Sequence, residues 1–101
     1  MIKKSYSKTG KVARVTFKLP TEVNAERAYL CGDFNAWDQT IHPMKRLKDG
    51  SFSLTLSLQP GKQYRFRYWL DNERWENDWE ADRYEANTYG SEDSVLLLQA
   101  R

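Results

Sequence analysis

Residues 51–58 read SFSLTLSL, with Phe52, Leu54, Leu56 and Leu58 at every second position and Ser51, Ser53, Thr55 and Ser57 between them. Successive side chains of a strand point to opposite faces, so this pattern separates apolar from polar only in a strand; a helix would scatter it around its axis. It predicts a half-buried strand of an antiparallel sheet. The same period runs through VARVTFKL, where Val15, Phe17 and Leu19 share a side before Pro20, which has no N–H to donate to a ladder. QYRFRYWL turns Tyr64, Phe66, Tyr68 and Leu70 inward and Arg65, Arg67 and Trp69 outward, since the side with two arginines is not the core. SVLLLQ reads as a last strand. Asp49-Gly50 is placed to supply the positive φ angles of a tight hairpin between HPMKRL and SFSLTLSL, while Pro60-Gly61 and Asp71-Asn72 turn the chain again. About seven short antiparallel strands with frequent turn signals and no helical period predict an all-β, immunoglobulin-like sandwich of the early-set type.

At 101 residues the chain is sized for one domain and is far short of the roughly 250 that a catalytic α/β barrel needs. Residues 1–10 are rich in Lys, Ser and Thr without a pattern, which predicts a flexible N-terminal arm, with the domain over 11–101. No apolar run approaches the ~18 residues of a membrane span, and the basic start is not followed by the apolar segment of a secretory signal, so a cytoplasmic protein without membrane contact is expected. The single cysteine, Cys31, lies in the apolar-leaning AYLCG and is expected to be a buried thiol. A net charge of +2 with mixed signs lacks the basic stripe of a dedicated nucleic-acid binder, so no nucleic-acid partner is expected.

Three of the four tryptophans, Trp69, Trp75 and Trp79, fall in WLDNERWENDW. Trp69 is on the outward side of its strand; Trp75 and Trp79 would share a face with Asn77 if the chain stayed extended, with Glu76 and Asp78 opposite. Indoles flanked by Arg, Asn and Asp offer flat apolar surface with a hydrogen-bonding rim, which suits sugars and nucleobases. Glycoside hydrolysis would need two positioned carboxylates, one of raised pKa, whereas Glu76, Asp78, Glu80 and Asp82 alternate like a solvated face. His42 has no Cys or second His to complete a metal set, so it reads as structural or exposed. Neither a metal nor a cofactor is expected.

With YLCGDFNAWD added, the chain resembles the family 48 carbohydrate-binding modules, which include the glycogen-binding domain of the AMP-activated protein kinase β-subunit and the N-terminal domains of glycogen branching enzymes and isoamylases. The resemblance runs from about Val12 to Leu98 and is carried by GDFNAWD at 32–38, the DGSF hairpin, YRFRYWLDNERW at 64–75 and NTYGSEDSVL at 87–96. It implies that Trp37 and Trp75 stack on successive glucose rings of a curved α-1,4-glucan, that Arg67 donates to sugar hydroxyls, and that Tyr89, Ser91 and Asp93 border the site. The chain departs from the kinase domain in having Arg67 for a lysine, Tyr89 for a leucine and Asp93 for an asparagine, and one extra residue precedes Trp75. Trp69 and Trp79 receive no ligand role from the resemblance; Trp79 is expected to pack the 76–86 excursion.

The resulting expectation is non-catalytic binding of glycogen, starch or malto-oligosaccharides, with high-micromolar to millimolar dissociation constants. The alternative is an interaction or structural module of the same fold, associated with an α-glucan-metabolising enzyme and without sugar affinity, because exposed Trp, Tyr and Arg also make protein hot spots. Whether Trp37 and Trp75 lie together and open to solvent separates the two.

Overall fold

The computed structural model describes residues 2–100. Among the described residues the chain forms nine strands: β1 (Ile2–Tyr6), β2 (Ala13–Leu19), β3 (Ala28–Gly32), β4 (Lys45–Arg46), β5 (Phe52–Leu58), β6 (Gln63–Leu70), β7 (Arg74–Glu76), β8 (Arg83–Ala86) and β9 (Glu92–Leu97). Two antiparallel sheets result, one ordered β1-β2-β5-β4 and the other β3-β6-β9-β8, with β7 also paired to β6. This is the expected all-β sandwich.

Alternation builds its interior. Val15, Phe17 and Leu19 of β2 and Phe66, Tyr68 and Leu70 of β6 are all fully buried, whereas Leu54, Leu56 and Leu58 of β5 and Tyr64 are half-buried against the same cluster. Phe17 meets Phe66 edge-on across the sheets, with centroids 5.2 Å apart, and Phe66 meets Tyr68 at 5.7 Å. Such T-shaped contacts are favoured by the ring quadrupoles and add to the burial energy. Cys31 is buried as expected, and burial, helped by the charge of Asp38, pushes its thiol up to about 11.

The expected N-terminal arm is corrected over Ile2–Tyr6, which pair in register with Ala13–Phe17. Ile2 and Tyr6 pack on the core, but Lys4 lies between them on the same side and hides the alternation. Its long side chain reaches the sandwich edge, where the ammonium meets an Asp82 carboxylate oxygen at 2.7 Å and the Leu97 carbonyl at 2.9 Å. Met1 of that arm lies outside the described residues.

Two hairpins differ in kind. At Asp71-Asn72 both residues have positive φ, 53° and 57°, and the Glu73 N–H donates to the Leu70 carbonyl at 3.0 Å, the two-residue turn the sequence predicted. At Asp49-Gly50 only Gly50 has positive φ, at 90°, so the expected pair of such residues is corrected to one. The Leu47 N–H donates to the Ser51 carbonyl, leaving a three-residue loop that needs a single left-handed position.

Gly32 ends β3 opposite Phe66 of β6, where the neighbouring atoms leave no room for a side chain. A Cβ there would sit 2.5 Å from the Arg65 carbonyl oxygen and 2.9 Å from both Phe34 Cζ and Phe66 Cβ. Gly32→Ala is therefore expected to lower unfolding free energy by about 1–3 kcal/mol, the usual cost of overpacking, measured by urea denaturation. An unchanged midpoint would show that β3 can move away from β6.

Candidate functional site

The outer face of the second sheet carries an open cleft lined by Asp33, Trp37, Arg65, Arg67, Trp75, Asn87, Thr88, Tyr89 and Asp93. Four chain segments meet there, and each has a local reason for its shape.

Trp37 follows a single 3-10 turn, Asp33–Asn35, after β3. Asn35 is buried and organises the turn: its Oδ1 accepts the Gly32 N–H at 3.0 Å, and its Nδ2 lies 2.9 Å from the Leu30 carbonyl and 2.8 Å from His42 Nδ1. That assigns the acceptor role to His42 Nδ1, consistent with the structural reading of this histidine. Ala36 and Trp37 are both left-handed, with φ 56° and 60°, a conformation costing roughly 1 kcal/mol or more per non-glycine residue. The Trp37 N–H closes the turn on the Gly32 carbonyl at 2.9 Å, and its indole N–H donates to Asp33 Oδ1 at 3.2 Å. Asp33 Oδ2 in turn accepts the Arg65 backbone N–H at 2.8 Å, so the indole is tied to β6.

Trp75 is presented by β7, directly after the Asp71-Asn72 turn. Asp71 Oδ1 accepts the N–H groups of Glu26 and Arg27 at 2.8 and 2.9 Å; these bonds, that of Arg27 foremost, hold its carboxyl below the usual range. Arg74 Nη2 donates to the Val23 carbonyl at 2.6 Å. The hairpin is thereby moored to the chain before β3. Behind Trp75 stands Trp69, its register partner on β6, with ring centroids 4.7 Å apart. Trp37 approaches Trp75 edge-on at 6.3 Å with an interplanar angle of 72°. Trp37 and Trp75 therefore lie together at one cleft, with Trp75 36% exposed.

Arg67 sits outward on β6 as expected, its guanidinium carbon 5.8 Å from the centre of a Trp75 ring and Nη1 donating to Ser91 Oγ at 3.3 Å. Its buried Nε has no hydrogen-bond partner among the described residues, so the guanidinium is held lightly. Arg65, on the same face, is held firmly: Nη2 meets Glu85 Oε1 at 2.7 Å and Nη1 lies 3.5 Å from Asp93 Oδ2. Glu85, foremost, keeps the Arg65 proton more tightly bound, and Arg65 lowers the Glu85 carboxyl in return.

The late loop is wrapped around Asn87. Its Nδ2 donates to Ser91 Oγ at 2.9 Å and Asp93 Oδ1 at 3.1 Å, while its Oδ1 accepts the Tyr89 N–H at 2.9 Å. Tyr89 is left 91% exposed at the rim. Asp93 is buried with both oxygens engaged, and Ser91 sits beside the cleft as the partner of Arg67 rather than in its lining. Of the six residues expected from the sequence, five line the cleft and Ser91 supports one of them. Arg65, Asp33, Asn87 and Thr88 were missed; Arg65 shares the outward period of Arg67, which was the available signal.

Two expectations about the 76–82 segment are corrected. β7 ends at Glu76, so Trp75 and Trp79 do not share a strand face; Trp79 is 49% exposed and donates its indole N–H to Glu76 Oε1 at 3.2 Å. Nor do the four carboxylates form one solvated face. Asp78 is fully buried, accepting the Tyr68 hydroxyl at 2.7 Å and the Glu80 N–H at 2.8 Å, with its own N–H on Ser94 Oγ at 2.8 Å. A buried Tyr68 beneath the turn supplies the partner that a sequence pattern does not reveal.

The sequence profile of one family, Carbohydrate-binding module 48 (Isoamylase N-terminal domain), matches residues 6–89. The chain belongs to the carbohydrate-binding module 48 family. The match contains Trp37, Arg67, Trp75 and Tyr89 and stops before Ser91 and Asp93. The module is 48% identical over 44 residues to the 1,4-alpha-glucan branching enzyme GlgB of Photobacterium profundum, covering 43% of this chain and 6% of that enzyme. It is also 48% identical over 42 residues to the 1,4-alpha-glucan-branching enzyme of Saccharomyces cerevisiae, covering 41% of this chain and again 6% of the relative. The chain thus matches only a small part of the length of these enzymes.

Burial, the largest effect, raises the Asp78 carboxyl above its ordinary value, while the bond from Tyr68 acts in the opposite direction. Tyr68→Phe is expected to destabilise the module by about 1–3 kcal/mol at pH 7, because it leaves a buried carboxylate short of a donor. A raised folded-state pKa means that the fold holds this proton more tightly than the unfolded chain, so acidification relieves the penalty. Denaturation at pH 7 and pH 4 should show the smaller difference at pH 4; an equal difference would sever the link to Asp78.

Proposed function

We propose that this module binds α-1,4-glucans, as glycogen, starch or malto-oligosaccharides, and performs no chemistry on them. The observation that carries the reading is the meeting of Trp37 and Trp75 at an open cleft beside two outward arginines. An edge-to-face pair presents indole surfaces at an angle, which suits a chain whose successive rings are not coplanar. Aromatic stacking is worth roughly 1–3 kcal/mol per ring, taking base stacking as the analogue. Arg67, held by one hydrogen bond through Nη1, has its remaining terminal N–H groups to offer to hydroxyls, and Tyr89 borders the chain from the rim. Asp93 acts through Arg65 and Asn87, and Ser91 through Arg67. Its similarity to 1,4-alpha-glucan branching enzymes supports this ligand class. Among the described residues the two buried carboxylates have structural partners, Asp78 a tyrosine and a turn, and Asp93 Asn87 and Arg65, which supports a role without catalysis.

Weak affinity is expected, with a dissociation constant between about 0.1 and 10 mM, which multivalent glucans would offset through effective concentration. The test is a titration with maltoheptaose followed by tryptophan fluorescence and backbone amide shifts. Saturable changes should centre on Trp37, Arg67 and Trp75. Trp75→Ala should abolish them while lowering the thermal midpoint by no more than about 5 °C, as a loss near 1 kcal/mol would. No response at sugar concentrations well above about 10 mM would overturn the reading in favour of an interaction or structural module serving an α-glucan-metabolising enzyme.

A further inference from the structure

The first sheet has a charge distribution unlike that of the rest of the molecule. Its four strands, IKKSY, ARVTFKL, KR and FSLTLSL, contain six Lys and Arg and no Asp or Glu, although the chain has 14 acidic residues. The pleat sends Ile2 and Tyr6 of β1, Val15 and Phe17 of β2, and Phe52 and Leu54 of β5 toward the core. Lys3, Ser5, Arg14, Thr16, Lys18 and Thr55 are left on the outer face, where the described strand residues are cations and hydroxyls with no carboxylate among them.

Off this outer face, four cations among the described residues are neutralised: Arg65 with Glu85 and Asp93, Arg83 with Glu85, Arg74 with Glu76 and Lys4 with Asp82. Among the described residues, Lys3, Arg14, Lys18 and Lys45 form no such pair. Register places Lys3 opposite Thr16 and Ser5 opposite Arg14, so the two cations stand diagonally across adjacent strands. Diagonal Cβ atoms are about 7–8 Å apart or somewhat less, and like charges so placed repel. Thr55 continues the row beyond Thr16, their hydroxyl oxygens 2.9 Å apart. Lys3, Ser5, Arg14, Thr16 and Thr55 together line one shallow depression.

We propose that this depression binds a phosphate group, as a phosphate monoester or as free phosphate. A phosphate near pH 7 carries about −1.5 to −2 charges and several acceptor oxygens. Lys3 and Arg14 supply opposing charge, and Ser5 together with the Thr16–Thr55 pair, whose mutual bond leaves one of its two hydroxyl protons free, supplies donors beside them. No aromatic side chain lines the depression, so it offers no stacking platform for a sugar or a base. The site is on the opposite sheet from the cleft around Trp37 and Trp75, and its occupancy does not depend on glucan binding.

The experiment records amide shifts at about 50 mM salt, where the Debye length is still more than 10 Å, during titration with inorganic phosphate, glucose 6-phosphate or sodium chloride of matched ionic strength. Saturable shifts centred on Lys3, Arg14 and Thr55 with either phosphate compound support the site. A response to both assigns recognition to the phosphate group itself; a response to one identifies that compound as the source. Lys3→Ser with Arg14→Ser should weaken binding at least about tenfold, as loss of charge-assisted hydrogen bonds does. Because it removes an unneutralised cation pair, the double variant should keep or raise the thermal midpoint, and its maltoheptaose response at Trp75 should persist. An equal, unsaturated drift with chloride, or undiminished phosphate binding by the double variant, would reduce the face to a diffuse ionic atmosphere and overturn the proposal. Loss of the Trp75 response in the unmodified protein would instead bear on the glucan reading alone.

Discussion

The pleat of β6 divides the labour of the whole molecule. Phe66, Tyr68 and Leu70 go into the core, where Phe66 meets Phe17 of the opposite sheet, while Arg65, Arg67 and Trp69 go to the outer face and build the cleft. A shift of one residue in register would bury two guanidinium groups and expose the aromatic core, so the alignment of β6 with β3 and β9 is strongly specified. The site inherits its rigidity from that alignment: its arginines cannot change face without unfolding the sandwich.

Around β6 the cleft is assembled from short segments fixed by polar contacts. Asn35 shapes the turn before Trp37, Asp71 moors the hairpin before Trp75, and Asn87 closes the loop beneath Tyr89. Asn35 and Asn87 satisfy backbone donors that their own tight turns leave without partners, whereas Asp71 satisfies those of Glu26 and Arg27 in the segment before β3. The two left-handed residues Ala36 and Trp37 show the same logic from the other side, since their strain is offset by the bonds of Trp37 to Gly32 and Asp33. Pre-arranged aromatic rings would lose little side-chain freedom on taking up the proposed glucan, which favours binding where the affinity is expected to be weak.

The two outer faces handle charge differently. On the second sheet, Arg65, Arg83, Glu85 and Asp93 form a connected network with both signs present, leaving Arg67 as the lightly held cation beside Trp75. On the first sheet, hydroxyls separate the lysines and Arg14 with no carboxylate between them. The small net charge of +2 conceals this division, because it averages over faces that a ligand meets one at a time.

The sequence by itself determined the all-β sandwich, the inward set of β2, β5 and β6, the Asp71-Asn72 turn and the outward position of Arg67. These follow from a period of two and from turn chemistry, both of which are local properties. The resemblance carried by GDFNAWD and YRFRYWLDNERW brought Trp37 and Trp75 forward as a pair. Tertiary structure decided what depends on partners distant in the chain. Lys4 could join β1 to the sandwich only because Asp82 and the Leu97 carbonyl wait at its edge, 78 and 93 residues away. Asp78 could be buried only over the hydroxyl of Tyr68, and Trp69 became the support of Trp75 only when β7 folded back on β6. Arg65 and Asn87 entered the site through Asp93, on a strand that alternation places but does not pair. A residue's face is set by its neighbours in sequence, whereas its partner is set by which strands come to lie side by side.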